Sequence, residues 1–347
     1  MLLQVIDHFT THVTSAHSFF FRQKFLGFIY YQLSHTQSDL HISSLLTSLY
    51  KFIGSPCSEG YSKEDLYNIT NYTLDKIYPN FFLKPTSIIV PIINILTAII
   101  RRDPRGKHVE CIEKSGVSSL LITVINHDNM ELSFASLNFL AIASYYSDRI
   151  CYQLSKMCVI TELSNSLRDK QIFDTCSDRA IQIMYNTIVF CYKNDSNYST
   201  IAFSSPDYKC FVDFLKNVFE NAEDTSLKQH ALLLLGLIVD HFPANDQLIS
   251  FLNEINVFGL LQPNIETGSC DGAAGALSIL YRLTIALNVT PLNMCKNIVE
   301  IVIQQEMIKA LNCYCDTCDV SQSREIAECV MNWINKELEL RVENECW

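Results

Sequence analysis

The sequence of 347 residues contains 37 Asp and Glu but only 26 Lys and Arg, which gives a formal net charge of −11. Phosphate backbones and anionic membranes are held mainly by Lys and Arg. This balance therefore disfavours a nucleic-acid-binding or membrane-surface role and permits a basic protein partner. Apolar residues make up 48% of the chain, and there are 10 Gly and 9 Pro. This composition predicts a helical protein with a large buried core.

Three features bear on the compartment. The segment Met1–Val13 has no Lys or Arg and contains Asp7, which makes it a poor match to a signal peptide. The 14 cysteines fit reduced thiols better than a disulfide framework, because the chain is far longer than disulfide-rich scaffolds. The longest apolar stretch, Ile88–Ile100, contains Pro91 and is too short to cross a bilayer. We expect a protein of the cytoplasm or nucleus without membrane insertion.

The N-terminal part of the chain predicts helices in an irregular order. The aromatic-rich stretch His17–Ser34 predicts a buried helix that covers the first end of the structure. Two further helices are predicted at Leu40–Phe52 and Lys63–Tyr78, separated by a loop at Gly54–Gly60 that contains Pro and Ser. The apolar stretch Ile88–Ile100 predicts the fourth helix.

Beyond residue 101 the predicted helices repeat as a short, a medium and a long helix. In chain order they are Lys107–Lys114, Val117–Asn126, Glu131–Tyr146, Arg149–Met157, Val159–Leu167, Asp178–Cys191, Tyr208–Phe219, Leu227–Phe242, Gln247–Glu254, Val257–Leu261, Ala273–Leu287, Leu292–Ile303, Met307–Leu311 and Arg324–Val342. The third copy is longer, mostly in the polar stretch Lys193–Ser205. We assign residues 88–343 to regular repeats and residues 1–87 to irregular N-terminal repeats or a cap of the same continuous solenoid.

The long helix of each copy carries the same apolar pattern. In the central copy, Ser226–His241, Ala231 is followed by Leu235 and Ile238 on one helical face. Alanines recur at equivalent places, at intervals of 45 to 51 residues, as Ala135, Ala180, Ala276 and Ala327. A small side chain there lets the long helices of neighbouring repeats cross closely. A period of this length is typical of an α-solenoid.

Two segments resemble known repeats. Glu113–Leu121 (EKSGVSSLL), followed by Glu131–Ala141 (ELSFASLNFLA), is similar to one armadillo repeat, in which a glycine precedes the second helix and an A-x-x-x-L ladder runs along the third. Glu254–Leu261 with Ala276–Leu283 is a second match. The resemblance covers about residues 88–343, and HEAT-like repeats stay open as an alternative. It implies an all-α, right-handed superhelix whose third helices line a concave groove for extended peptides.

In importin-alpha-like and catenin-like members an asparagine recurs on the groove face. Six residues after each ladder alanine this chain has, in order, Ala141, Asn186, Leu237, Arg282 and Trp333. Only Asn186 fits, and the Trp-x-x-x-Asn array of nuclear-import receptors is missing, so such a receptor is disfavoured. The candidate partner-binding residues are Asn138, Asn186, Arg282 and Trp333. As alternatives, Trp333 packs under the last helix and Arg282 is merely solvated.

One cysteine cluster has the composition of a metal site. Cys315 and Cys318 have the C-x-x-C spacing that zinc uses, and Cys313 and Cys329 would have to complete a tetrahedron. A matching second pair is absent, so we expect no metal. The preferred interpretation is a set of thiols in a loop between helices.

The sequence contains neither a phosphate-binding loop nor a nucleophile–base motif, so we expect no catalysis and no cofactor. The main hypothesis is a protein-binding scaffold or adaptor that holds a partner protein or peptide along the groove. Two alternatives stay open: an exchange-factor-like regulator of a chaperone or small GTPase, and a structural subunit of a larger cytoskeletal or ciliary assembly. The apolar Leu237 predicts that recognition occurs on either side of the central helix Ser226–His241.

Overall fold

A computed structural model describes residues 18–54, 63–77, 83–125, 129–168, 174–194, 208–267, 270–290 and 292–345. Within these ranges the chain forms 18 helices and no β-strand. Gly54, the first residue of the predicted loop, ends a helix. The rest of that loop and most of the stretch Lys193–Ser205 lie outside the described residues. The chain separates into two compact units, Met1–Met157 and Cys158–Trp347.

The first unit contains eight of the described helices. They are α1 (Ser18–His35), α2 (Asp39–Gly54), α3 (Lys63–Ile77), α4 (Thr86–Arg102), α5 (Lys107–Ser115), α6 (Val117–Thr123), α7 (Met130–Tyr146) and α8 (Asp148–Lys156). Helix α4 packs on both α2 and α7, and α3 packs on α5. Almost every residue from Ile88 to Ile100 is buried, which confirms the buried helix predicted there.

The second unit contains the other ten helices. They are α9 (Val159–Arg168), α10 (Asp174–Lys193), α11 (Tyr208–Asn221), α12 (Thr225–Asp240), α13 (Asp246–Ile255), α14 (Phe258–Thr267), α15 (Cys270–Val289), α16 (Leu292–Val302), α17 (Gln305–Thr317) and α18 (Ser321–Glu345). The long helices α10, α12, α15 and α18 contact one another in that order and form a row. Their ladder alanines Ala180, Ala231, Ala276 and Ala327 are fully buried, as the repeat pattern predicts.

A left-handed residue joins the first and second helices in three of the repeats. Gly116, between α5 and α6, has φ 72°, and Asn256, between α13 and α14, has φ 60°. Cys158, between α8 and α9, has φ 51°. Such a residue ends one helix and redirects the chain into the next, and glycine is the residue that adopts it without strain. The recurrence of one backbone conformation at one place supports the repeat assignment independently of side-chain pattern.

Two helices run six residues beyond their predicted ends, from Leu261 to Thr267 and from Leu311 to Thr317. Helix α14 continues past Pro263 to Thr267, because Asn264 and Ile265 are buried and hold the segment in place. It contains Gly259, as the predicted helix Val257–Leu261 did, and the left-handed turn before it lies at Asn256. A proline inside a helix removes one backbone hydrogen bond, and the packing of the neighbouring residues offsets that loss.

Helix α17 likewise extends to Thr317. The buried side chains of Met307, Leu311 and Tyr314 continue the apolar face by another turn beyond the predicted end at Leu311. The cysteine-containing segment is therefore helical up to Thr317, and the prediction of a loop there is wrong.

The core of the second unit includes one long apolar helix. Residues Asp271–Val289 of α15 are long and apolar enough to cross a membrane, as judged by length and composition alone. Sixty-one per cent of the most apolar window is buried inside the protein. Helix α15 contacts both α12 and α18, which is the packing of a core helix.

Candidate binding groove

Among the long helices of the second unit, α12 and α15 cross in close contact. Asp224 caps the N-terminus of helix α12, and its side chain accepts a hydrogen bond from the Ser226 amide at 2.8 Å. At the crossing, a Cβ atom placed on Gly236 would lie 2.9 Å from the Gly275 Cα, and one placed on Gly275 would overlap the Leu232 carbonyl. The two backbones therefore touch, and glycine is the residue that permits this approach.

A pocket of about 230 Å³ lies on the exposed side of this crossing. Its lining comes from all four long helices, through Tyr185 of α10, Leu233, Gly236, Leu237 and Asp240 of α12, Ala274, Gly275, Leu277 and Ser278 of α15, and Gln322, Ser323 and Ile326 of α18. The small residues Gly236, Ala274 and Gly275 leave the space that larger side chains would fill. The pocket lies on the central helix itself, at Leu237.

One end of the pocket carries a hydroxyl–carboxylate pair. The Ser278 hydroxyl donates a hydrogen bond of 2.5 Å to the Asp240 carboxylate, and this bond links α15 to α12. The ring of Tyr192 stacks on that of His241 with centroids 3.4 Å apart. Burial, together with the nearby Asp240 charge, raises the pKa of Tyr192, so this phenol is neutral at physiological pH.

Toward the helix N-termini, a histidine connects three of the long helices. His230 of α12 lies with Nδ1 2.6 Å from the Asp178 carboxylate of α10 and with Nε2 3.7 Å from the Asp271 carboxylate of α15. The hydrogen bond to Asp178 raises the pKa of His230, and desolvation opposes this rise. We call this arrangement, formed by Asp178, His230 and Asp271, the histidine bridge.

The pocket lining and the histidine bridge occupy one face of the long helices. Leu233, Leu237 and Asp240 lie three, seven and ten residues after His230. On α15, Ala274 and Ser278 follow Asp271 by three and seven residues. These spacings place each set on one helical stripe. The groove of the second unit thus has an apolar and glycine-rich middle with carboxylates toward both ends.

The structure does not bring the four predicted groove residues together at this pocket. Asn138 belongs to the first unit, on α7, where its side-chain oxygen lies 3.5 Å from the Arg101 guanidinium. Asn186 is half-buried on α10 beside the pocket residue Tyr185 but does not line the pocket. Trp333 donates a hydrogen bond of 2.9 Å from Nε1 to the Asn288 side chain, so it links α18 to the C-terminal end of α15.

The side chain of Arg282 binds backbone carbonyls at the end of α12. Its Nε donates to the Val239 carbonyl at 3.2 Å, and its terminal nitrogen donates to the Phe242 carbonyl. Carbonyls at a helix C-terminus lack helical partners and carry partial negative charge, so a guanidinium is a favourable cap. Arg282 is therefore not merely solvated, and it holds α15 on the end of α12.

The predicted cysteine cluster is spread over two helices. Cys313 and Cys315 lie on α17, Cys318 follows its last residue, and Cys329 lies on α18. Residues two apart on a helix point to different sides, so Cys313 and Cys315 do not converge. Among the described residues, no group of three or more His, Cys, Asp and Glu side chains could hold a metal ion. Burial, reinforced by Glu328 and Asp316, raises the pKa of the Cys315 thiol.

Sequence reasoning missed most of the pocket lining. A fixed offset of six residues from the ladder alanine finds Leu237 but misses other lining residues. Tyr185 lies five residues after its alanine, Ser278 lies two residues after, and Ile326 lies one residue before. The offset drifts because successive helices expose different parts of their circumference. The pair Gly236 and Gly275 was the available signal, since glycine inside a long apolar helix marks a close approach.

Comparison with known proteins supports the fold and names no relative. No family model matches the chain, and no curated protein sequence matches it. An engineered protein of known structure is similar over 88% of this chain and 67% of its own, with a TM-score of 0.62 at 13% identity. A second engineered protein covers 77% of this chain and 98% of its own, with a TM-score of 0.54 at 13% identity. These two likenesses show the fold alone.

A designed armadillo repeat protein also matches, over 83% of this chain and 99% of its own, with a TM-score of 0.48 at 11% identity. That score is too low to carry an argument. The class follows from the geometry of the chain itself, namely the helix triplets, the left-handed turns and the row of long helices. The protein is an all-α solenoid of armadillo-like repeats.

Proposed function

We propose that the protein is a non-enzymatic scaffold or adaptor that binds a partner protein or peptide along the row formed by α10, α12, α15 and α18. The observation that carries this proposal is the pocket at the α12–α15 crossing, which opens on the face shared by the four long helices. Repeat proteins bind partners on extended surfaces of this kind, because stacked repeats present a continuous face.

The two histidines of this face favour binding over catalysis. A general base needs a free proton-accepting atom within reach of substrate. His230 lies between two carboxylates, and the ring of His241 stacks on Tyr192 while its Nδ1 lies 3.2 Å from the Leu237 carbonyl. Both histidines thus have structural partners, while the pocket lining is mainly apolar and uncharged.

The proposal is tested by filling the pocket. Ala274 is half-exposed in the lining, so Ala274→Trp places a large side chain in the pocket without disturbing the buried core. Proteins captured from a lysate by the full chain would be compared with those captured by the variant. The matched control is Asn253→Trp, which adds the same side chain at an exposed position of α13.

We expect Ala274→Trp to lose partners that the full chain and Asn253→Trp both retain. Partners that survive Ala274→Trp at full yield would exclude this face as the binding site. Circular dichroism of both variants verifies that each is folded.

A further inference from the structure

The carboxylates around the pocket outnumber the cations. Asp240 lines the pocket, and the histidine bridge places Asp178 and Asp271, with His230 between them, on the same face of the long helices. None of the twelve lining residues is Lys or Arg. Within the described part of the chain, no ion pair includes Asp240. Its carboxylate accepts a hydrogen bond from the Ser278 hydroxyl.

Arg282, whose guanidinium contacts backbone on both sides of Asp240 in the chain, is engaged there. Arg282 directs its guanidinium at the Val239 and Phe242 carbonyls, on either side of Asp240 and His241 in the chain. It therefore leaves the Asp240 carboxylate open to an incoming group. Asp240 is exposed at one end of the pocket, and a carboxylate there without a paired cation favours a positively charged ligand.

The remaining walls suit the rest of a long basic side chain. Leu233, Leu237, Leu277 and Ile326 supply apolar surface, and Tyr185 supplies an aromatic ring. Lys and Arg bury their methylene stems on apolar surface while the head keeps a polar partner. An aromatic ring attracts the same cation through its face. The volume of about 230 Å³ is below the usual range for small-molecule sites and suits a single side chain.

We infer that this pocket receives a Lys or Arg side chain from an extended segment of the partner protein, with Asp240 as its ion-pair partner and Tyr185 as its aromatic contact. The inference rests on the proposed function and adds the chemistry of the partner. Carboxylates toward both ends of the pocket disfavour an acidic or phosphorylated segment. A net charge of −11 on the chain adds long-range attraction for a basic one.

The probe is a phage-displayed library of random peptides selected on the immobilised full-length chain. We expect the selected peptides to share one Lys or Arg, and replacement of that residue by norleucine to weaken binding by about tenfold or more, measured by fluorescence anisotropy. Asp240→Asn, which keeps size and shape, should cause a similar loss. Glu254→Gln, which removes the same charge from an exposed site on α13, is the matched control and should leave binding unchanged.

The decisive measurement is a double-mutant cycle. If the basic residue meets Asp240, the norleucine peptide binds wild type and Asp240→Asn with nearly equal affinity, so the two losses do not add. Charge reversal sharpens this result. Asp240→Lys should reject the basic peptide and accept a version in which Glu replaces the basic residue.

A photo-crosslinking side chain at the exposed lining residue Gln322 locates the bound peptide independently of any change in stability. Peptides that crosslink there but carry no basic residue and ignore Asp240→Asn would overturn the inference and leave the proposed function standing. Failure to select any peptide that crosslinks at Gln322 would overturn both. Basic peptides with additive losses would show that Asp240 acts only through long-range charge, which also contradicts the assigned contact.

Discussion

Two helix contacts, one in each unit, are filled in opposite ways. In the first unit α4 packs on α7, and their buried positions hold large side chains such as Ile95, Ile99 and the fully buried Phe139. In the second unit α12 packs on α15 through Gly236 and Gly275, where the backbones touch. The same repeat therefore yields either a contact filled by side chains or a backbone contact.

The difference extends to the exposed faces of these helices. Helix α7 presents large aromatic side chains, with Phe134 37% exposed and Tyr145 70% exposed. At the α12–α15 crossing the small residues Gly236, Ala274 and Gly275 line a pocket instead. Side-chain size where two long helices meet thus decides whether a repeat offers a protruding surface or a recess. Four substitutions test this view, in order of expected effect.

The largest effect is expected from Phe139→Ala in the first unit. Removal of a fully buried ring leaves a cavity between close-packed helices, which typically costs about 3–5 kcal/mol. Urea unfolding followed by circular dichroism measures the loss. Phe134→Ala removes the same ring from an exposed position of the same helix and should cost less than about 1 kcal/mol. Equal losses would show that α7 is not packed as described.

Gly275→Ala tests the backbone contact by adding a single methyl group. Its Cβ would overlap the Leu232 carbonyl, so the helices must separate, and overpacking of this kind costs about 1–3 kcal/mol. The control is Gly27→Ala on α1, where no atom lies within 4 Å of an added Cβ. That change should stabilise by about 0.5–1 kcal/mol through helix propensity. A neutral or stabilising Gly275→Ala would contradict the touching backbones.

Arg282→Met separates a structural role from a binding role. The change keeps much of the apolar stem but removes the hydrogen bonds to the Val239 and Phe242 carbonyls. We expect a loss of about 1–2 kcal/mol in the free energy of unfolding, reduced by partial exposure, with Arg282→Lys recovering part of it. Peptide binding at the pocket should be retained at denaturant-free conditions. A variant of full stability that fails to bind would make Arg282 a partner-binding residue instead.

The smallest expected effect is a pH dependence from the histidine bridge. The pKa of His230 is raised above its ordinary value of 6.5, first by the hydrogen bond to Asp178, with the charges of Asp178, Asp271 and Asp224 contributing and desolvation opposing. The stabilisation is therefore fully present below pH 6.5 and is lost as pH rises through the higher folded-state pKa.

The difference in Tm between wild type and His230→Asn should consequently shrink from about pH 6 to about pH 9. In an Asp178→Asn, Asp271→Asn background this pH-dependent difference should become much smaller, because only the charge of Asp224 is left to favour the imidazolium. A Tm difference that is constant with pH would mean that His230 does not titrate against its two carboxylates.

Most of the helices could be predicted because the spacing of apolar residues and the residues that end helices indicated the same segments. Ala231, Leu235 and Ile238 mark one face of α12, and the chain breaks at residues whose backbone preference is strong, such as Gly116. The prediction failed where packing overrides a local signal. The helix predicted at Val257–Leu261 ended too early, and the cysteines after Leu311 were assigned to a loop, yet buried Ile265 and Tyr314 hold both segments helical.

The candidate site was less predictable than the fold. The groove face could be assigned to the third helices, but the residues that meet across α10, α12, α15 and α18 depend on crossing angles that one helical period does not encode. Arg282 illustrates this limit. The sequence predicts its position on the long helix, but it does not predict the backbone carbonyls at the end of α12 to which it donates. The Gly236–Gly275 contact is the exception, because a glycine inside a long apolar helix indicates a close approach of another backbone.

The left-handed turns explain how a regular architecture can escape recognition by sequence. Gly116, Cys158 and Asn256 share one backbone conformation but differ in chemistry, so a profile that expects glycine there counts two of the three as mismatches. The strain accepted at Cys158 and Asn256 is borne by the packed helices around them. Evolutionary searches for distant members of this architecture would therefore do better to compare the torsion angle at the turn than the letter that occupies it.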